Sequence, residues 1–125
     1  MNWTATAAIM LALGVILGAF GAHGLQDRLD AYSMTVYEKA VFYHFIHALG
    51  LLAAALMVRM RLISAAAGAW VCWLLLAGIV LFSGSLYVLA VTGVRTLGAV
   101  TPFGGASFIA AWIVMAVCAL KSRSD

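Results

Sequence analysis

Trp3-Thr-Ala-Thr-Ala-Ala-Ile-Met-Leu-Ala-Leu-Gly-Val-Ile-Leu-Gly-Ala-Phe-Gly-Ala-His-Gly-Leu25 contains no Asp, Glu, Lys or Arg and carries a single histidine near its end. About 20 consecutive apolar residues are what a helix needs to cross a bilayer. Trp3 to Ala22 meets that length, so this stretch reads as a membrane-spanning helix. Its last part, Gly18-Ala-Phe-Gly-Ala-His-Gly-Leu25, places glycines where a second helix can approach closely. It also holds an ionisable side chain at the edge of a hydrocarbon-length segment, which asks for a partner.

The rest of the chain agrees with a lipid environment. It has 125 residues, 66% of them hydrophobic and 9% charged, with a mean hydropathy of +1.13. Soluble domains are about half apolar and about a quarter charged. The net charge of +3 comes from cations at the ends of apolar segments, where they anchor helices. No basic stripe with interleaved aromatics exists, so no nucleic-acid partner is expected. No basic segment precedes the first apolar run, which is longer than a cleaved signal needs, so it is read as a retained helix. Cys72 and Cys118 lie within apolar segments without metal-ligand spacing and read as packed small residues.

The expected fold is all-α: a single domain over residues 1–125 with spans at about 3–22, 41–58, 65–89 and 103–120. Between spans one and two, Leu25, Leu29, Tyr32 and Val36 recur on one helical face and predict a short interfacial helix. Thr35 with Glu38 has capping-box spacing. Span three exceeds the hydrocarbon thickness, and Gly84 between Ser83 and Ser85 marks where it can bend. Pro102 suits a helix start with Thr101 as its cap. Arg59, Arg61, Lys121 and Arg123 fall on the side of both termini, and Arg28, Lys39 and Arg95 on the other. This places both termini in the cytoplasm.

Topology then gathers the polar side chains into one leaflet as a cap: His23, Tyr43, His44, His47, Ser83, Ser85, Tyr87, Arg95 and Thr101. Gly14, Gly18, Gly21, Gly24, Gly84, Gly104 and Gly105 are the expected helix-packing positions. Lipid is the expected partner, and self-association suits a bundle with so little interior.

Several chemistries can be weighed at the cap. His44 and His47 share a helical face, and His23 could approach them. Three imidazoles can hold zinc with an open position or relay protons. They can also simply bond neighbouring carbonyls and pin helix to helix, which is the leading reading. A haem would have to sit between His23 and His47. Ser83 and Ser85 lack the strand-to-helix elbow and the partners of a nucleophilic serine. Arg95 is expected to snorkel or to pair with Asp27, Asp30 or Glu38. No cofactor and no catalytic residue are assigned. The alternatives to a structural or interaction role are an oligomeric proton or ion conductor and a metal-binding protein.

Four motifs in order, Gly18-Ala-Phe-Gly-Ala-His-Gly-Leu25, Tyr43-His-Phe-Ile-His-Ala-Leu49, Phe82-Ser-Gly-Ser-Leu-Tyr87 and Leu97-Gly-Ala-Val-Thr-Pro-Phe-Gly-Gly105, resemble the DUF423 family of small membrane proteins, related to the transmembrane protein 256 group. The resemblance covers almost the whole chain. It implies a four-helix protein of the bacterial inner membrane with unassigned function, and supplies no substrate or cofactor. The family motif often has glutamine where this chain has His44, which leaves His23 and His47 as the sharper pair.

Overall fold

The computed structural model describes residues 1–122 and is all-helical over them. Helix α1 runs Trp3–Phe20 and continues as a π-helical turn, Gly21–Leu25. Helix α2 is Ala31–Arg59. Helix α3, Ala65–Gly78, widens into a second π segment, Ile79–Gly84, and resumes as α4, Ser85–Thr92. A 3₁₀ turn, Arg95–Ala99, leads to α5, Thr101–Ser122. Four rods result, Trp3–Leu25, Ala31–Arg59, Ala65–Thr92 and Arg95–Ser122, each long and apolar enough to cross a membrane. Helices suit that solvent because they satisfy their own backbone groups.

Polar residues set the helix ends. Asn2 Oδ1 accepts from Ala5 N at 3.0 Å, Asp30 Oδ1 from Ser33 N at 2.7 Å, and Ser64 Oγ from Ala67 N at 3.2 Å. Each satisfies one of the N–H groups a helix start leaves open. The cap of α2 is therefore Asp30, not the Thr35–Glu38 pair; the Thr35 hydroxyl bonds back to the Ala31 carbonyl at 2.9 Å. The helix expected at the interface is present but runs without a break into span two. Helix α4 ends at Gly93 with φ of 72°, a conformation glycine adopts freely. Helix α2 ends differently. Arg61 N bonds to the Val58 carbonyl at 3.0 Å and Leu62 N to the Met57 carbonyl at 2.9 Å. This is a Schellman closure, and Arg61 holds the left-handed position with φ of 59°. A side chain there costs about 1 kcal/mol relative to glycine.

Helices α2 and α3–α4 form the centre, with 39% and 44% of their spanning windows buried, against 17% for each flanking rod. The order across the bundle is α1 on α2, α2 on α3–α4, and α3 on α5. Small residues dominate the closest approaches. Ala7, Ala48, Ala54, Ala111 and Cys72 are fully or almost fully buried around Leu51, Val71 and Leu75. The outward faces carry Ile9, Val15, Ile16, Trp70, Ile109 and Ile113, as a lipid solvent requires.

Close packing falls on some of the expected glycines and not on others. A Cβ at Gly104 would lie 2.7 Å from Phe82 Cα, so backbone meets backbone there. Gly14 faces the Phe45 ring and Gly21 the Tyr37 ring. Gly18 and Gly105 have ordinary contacts, at 3.5 Å and 3.8 Å, Gly24 faces Phe20 of its own helix, and Gly84 has nothing nearer than the Ile79 carbonyl at 4.0 Å. Gly50, Gly68 and Gly78 were not expected at contacts, yet they accept Trp112, Val58 and Phe108. Gly104→Ala should therefore destabilise the bundle by about 1–3 kcal/mol, while Gly105→Ala should stay within about 0.5 kcal/mol of the wild type. Unfolding of both variants in the same detergent checks the contrast.

Candidate functional site

The polar side chains are strung as a column along the bundle, from Arg95 at the end where α2 begins to His44 and His47 near the middle of α2. His44 lies thirteen residues after Ala31 and fifteen before Arg59 on α2, so about 20 Å from either helix end at 1.5 Å per residue. His47 is almost one turn further along, just past the midpoint of the helix. Both stand nearer the middle of their helix than expected, because α2 begins at Ala31, about ten residues before the run that reads as hydrocarbon-spanning.

His44 is buried and holds three helices together. Its Nε2 is 2.7 Å from the Met10 carbonyl of α1 and its Nδ1 is 2.9 Å from the Tyr87 hydroxyl of α4. A carbonyl only accepts, so Nε2 carries the hydrogen. In the neutral ring Nδ1 is then the acceptor, and Tyr87 donates to it. His47 donates from Nδ1 to the Tyr43 carbonyl, 2.8 Å away on its own helix. Its ring stacks on Phe108 of α5 with centroids 3.5 Å apart and planes at 12°. The two histidines share a helix yet serve different neighbours.

Hydroxyls repeat this pattern. Tyr37 donates to the Leu17 carbonyl, in the last turn of α1 before the π segment. Ser83 is fully buried and donates from the second π segment to the Ala40 carbonyl of α2 at 2.8 Å. Ser107 of α5 donates to the Leu74 carbonyl of α3 at 2.6 Å. Ser85 gives its one hydrogen to the Phe82 carbonyl at 2.9 Å. Thr101, expected as a helix cap, is thereby the donor in the 2.7 Å pair with Ser85. Tyr43 packs its ring on Phe82, centroids 4.5 Å apart. Among the described residues no buried side-chain nitrogen or oxygen lacks a hydrogen-bond partner.

His23 stands apart. It is exposed on the first π segment, while His44 and His47 point into the bundle, so the three imidazoles do not converge and the His23–His47 pair does not form. Among the described residues no group of three His, Cys, Asp or Glu side chains is arranged to hold a metal ion. Arg95 sits at the surface end of the column, 5.6 Å from the Tyr32 ring centroid. With Asp30 and Tyr32 it lines a cavity of about 130 Å³. The Ser33 backbone N–H and then the Ser33 hydroxyl hold the Asp30 carboxyl below its usual range; burial opposes them, and the Arg95 charge adds a lesser lowering. Arg28 and Lys39 are exposed at the same end. Arg123 lies outside the described residues.

Sequence reading missed Tyr37 and Ser107. Ser107 lies two residues after Gly105, an expected packing position, and that adjacency was the available signal; Tyr37 has no such glycine on its own helix and meets Gly21 only across the bundle.

The sequence profile of a family described as "Protein of unknown function (DUF423)" matches residues 17–105. A "UPF0382 membrane protein" of Staphylococcus epidermidis is 50% identical over 112 residues, covering 90% of this chain and 88% of its own length. The "UPF0382 membrane protein YwdK" of Bacillus subtilis is 47% identical over 114 residues, covering 91% and 92%. A further relative in Staphylococcus aureus is 42% identical over 112 residues, with 90% and 88% covered. No solved structure matches the chain. The chain belongs to the DUF423 family and is an integral membrane protein.

The geometry makes a specific spectroscopic claim. With His ring nitrogens labelled by ¹⁵N in bilayers, His44 should appear as the Nε2–H tautomer and His47 as the Nδ1–H tautomer. The same tautomer for both rings would contradict the bonds described.

Proposed function

We propose that this member of the DUF423 family is a non-catalytic helical membrane protein whose polar residues lock its own helices together, leaving its surfaces for interaction. The observation that carries the reading is His44, with its ring bonded to α1 through Met10 and to α4 through Tyr87. A group engaged on both nitrogens by its own bundle offers neither a lone pair to a metal nor a free donor to a substrate. The same is true in kind of Tyr37, Ser83 and Ser107, each aimed at a backbone carbonyl of another helix. Interhelical hydrogen bonds of this sort contribute about 0.6 kcal/mol each, and up to about 1.7 kcal/mol.

We further place the protein in the cytoplasmic membrane with both termini in the cytoplasm. Arg59, Arg61 and Lys121 support that orientation against Arg28, Lys39 and Arg95 at the other end, because they cluster directly at helix ends.

Ser83→Ala and Tyr37→Phe should each lower stability in detergent by about 0.6–1.7 kcal/mol, and wild-type protein in liposomes should pass protons and cations no faster than empty vesicles. Flux above that background, lost in His44→Ala without loss of stability, would replace this reading by that of a conductor. For orientation, a fluorescent-protein fusion to the C-terminus should be bright and an alkaline phosphatase fusion inactive; the reverse pattern inverts the topology.

A further inference from the structure

The two ends of the bundle differ in charge. Among the described residues the carboxylates Asp27, Asp30 and Glu38 all lie at the end where α2 begins, mixed with Arg28, Lys39 and Arg95. The other end holds Arg59, Arg61 and Lys121 and no carboxylate among the described residues. There the α2–α3 turn and the end of α5 enclose a recess of about 630 Å³. Arg61 and Lys121 stand on its wall, with Ser64 beside them, and Val58, Ile63 and Cys118 supply apolar lining. The recess opens at the ends of the spanning helices, at the level where hydrocarbon gives way to headgroups.

Arg61 is the second observation. It occupies the left-handed position of the closure that ends α2, where glycine is the unstrained choice. At Gly93 this chain does use glycine for a positive φ. Keeping an arginine at Arg61 sets backbone comfort aside and delivers a guanidinium to the recess. Guanidinium presents paired donors that match phosphate oxygens, and Lys121 adds a second positive charge.

We infer that this recess binds the headgroup of an anionic phospholipid, with the phosphate between Arg61 and Lys121 and the start of the acyl chains on the apolar wall. The charge, the depth and the mixed lining favour a lipid over a free anion. This inference is independent of the locking role assigned to the buried column.

Purified full-length protein in neutral detergent, with phosphatidylglycerol or phosphatidylcholine added, tests it by native mass spectrometry of lipid retention. Phosphatidylglycerol should bind well over tenfold more tightly than phosphatidylcholine. Each of Arg61→Gly and Lys121→Gln should weaken it roughly fivefold, as expected for one basic side chain near an anionic headgroup. Arg61→Gly should leave the melting temperature unchanged or raised, since glycine relieves the backbone, so lost binding cannot be put down to misfolding. Arg59, which lines a neighbouring recess with Trp3 and Ala55, supplies the control: Arg59→Gln should retain the preference. Equal binding of the two lipids, full retention by both variants, or an equal loss in Arg59→Gln would each overturn the site. Displacement of the lipid by millimolar inorganic phosphate would also overturn it, by assigning the recess to a free anion.

Discussion

In hydrocarbon a polar side chain has no water to turn to, and the most abundant acceptors within reach are the carbonyls of neighbouring helices. The rest of this structure depends on that constraint. His44 takes the Met10 carbonyl, Tyr37 that of Leu17, Ser83 that of Ala40 and Ser107 that of Leu74. Each bond crosses between helices and fixes both the rotation and the depth of one rod against the next. The small residues around Leu51 and Leu75 make this reach feasible, because short side chains such as serine bridge only between backbones that lie close together. At Phe82 and Gly104 the backbones themselves meet.

These interior side chains are engaged by the bundle's own backbone, and the two ends carry different characters. One end has mixed charge, with Asp30, Tyr32 and Arg95 around a small cavity. The other is cationic among the described residues and holds a strained arginine beside an open recess. The flanking rods turn long apolar faces outward, which is what a lipid solvent selects. An account in which the interior supports the fold and the surfaces do the work fits this distribution of polarity.

The four spans were legible because run length against bilayer thickness is a strong signal, as Trp3 to Ala22 shows. The start of α2 was not. The charged and aromatic residues from Ala31 to Lys39 resemble an interfacial segment by composition, and only the Asp30–Ser33 bond shows where the helix begins. That ten-residue difference puts His44 and His47 near the middle of their helix and not in its first two turns. The polar residues themselves were visible in the sequence, but their partners were backbone carbonyls, which no side-chain pattern announces. Gly50, Gly68 and Gly78 were overlooked for a related reason. They receive Trp112, Val58 and Phe108 from other parts of the chain, and such pairing depends on helix register. The π segments at Gly21–Leu25 and Ile79–Gly84 likewise leave no periodic trace over so few residues.

The claim at the centre of this account is that His44 and Tyr87 act on each other as an interhelical lock. A double-mutant cycle of His44→Ala and Tyr87→Phe, read by reversible unfolding in one detergent or bicelle system, measures that pair directly. The account predicts a favourable coupling of about 0.6–1.7 kcal/mol, the range found for hydrogen bonds between membrane helices. Strictly additive single-mutant effects, with no coupling beyond error, would contradict it.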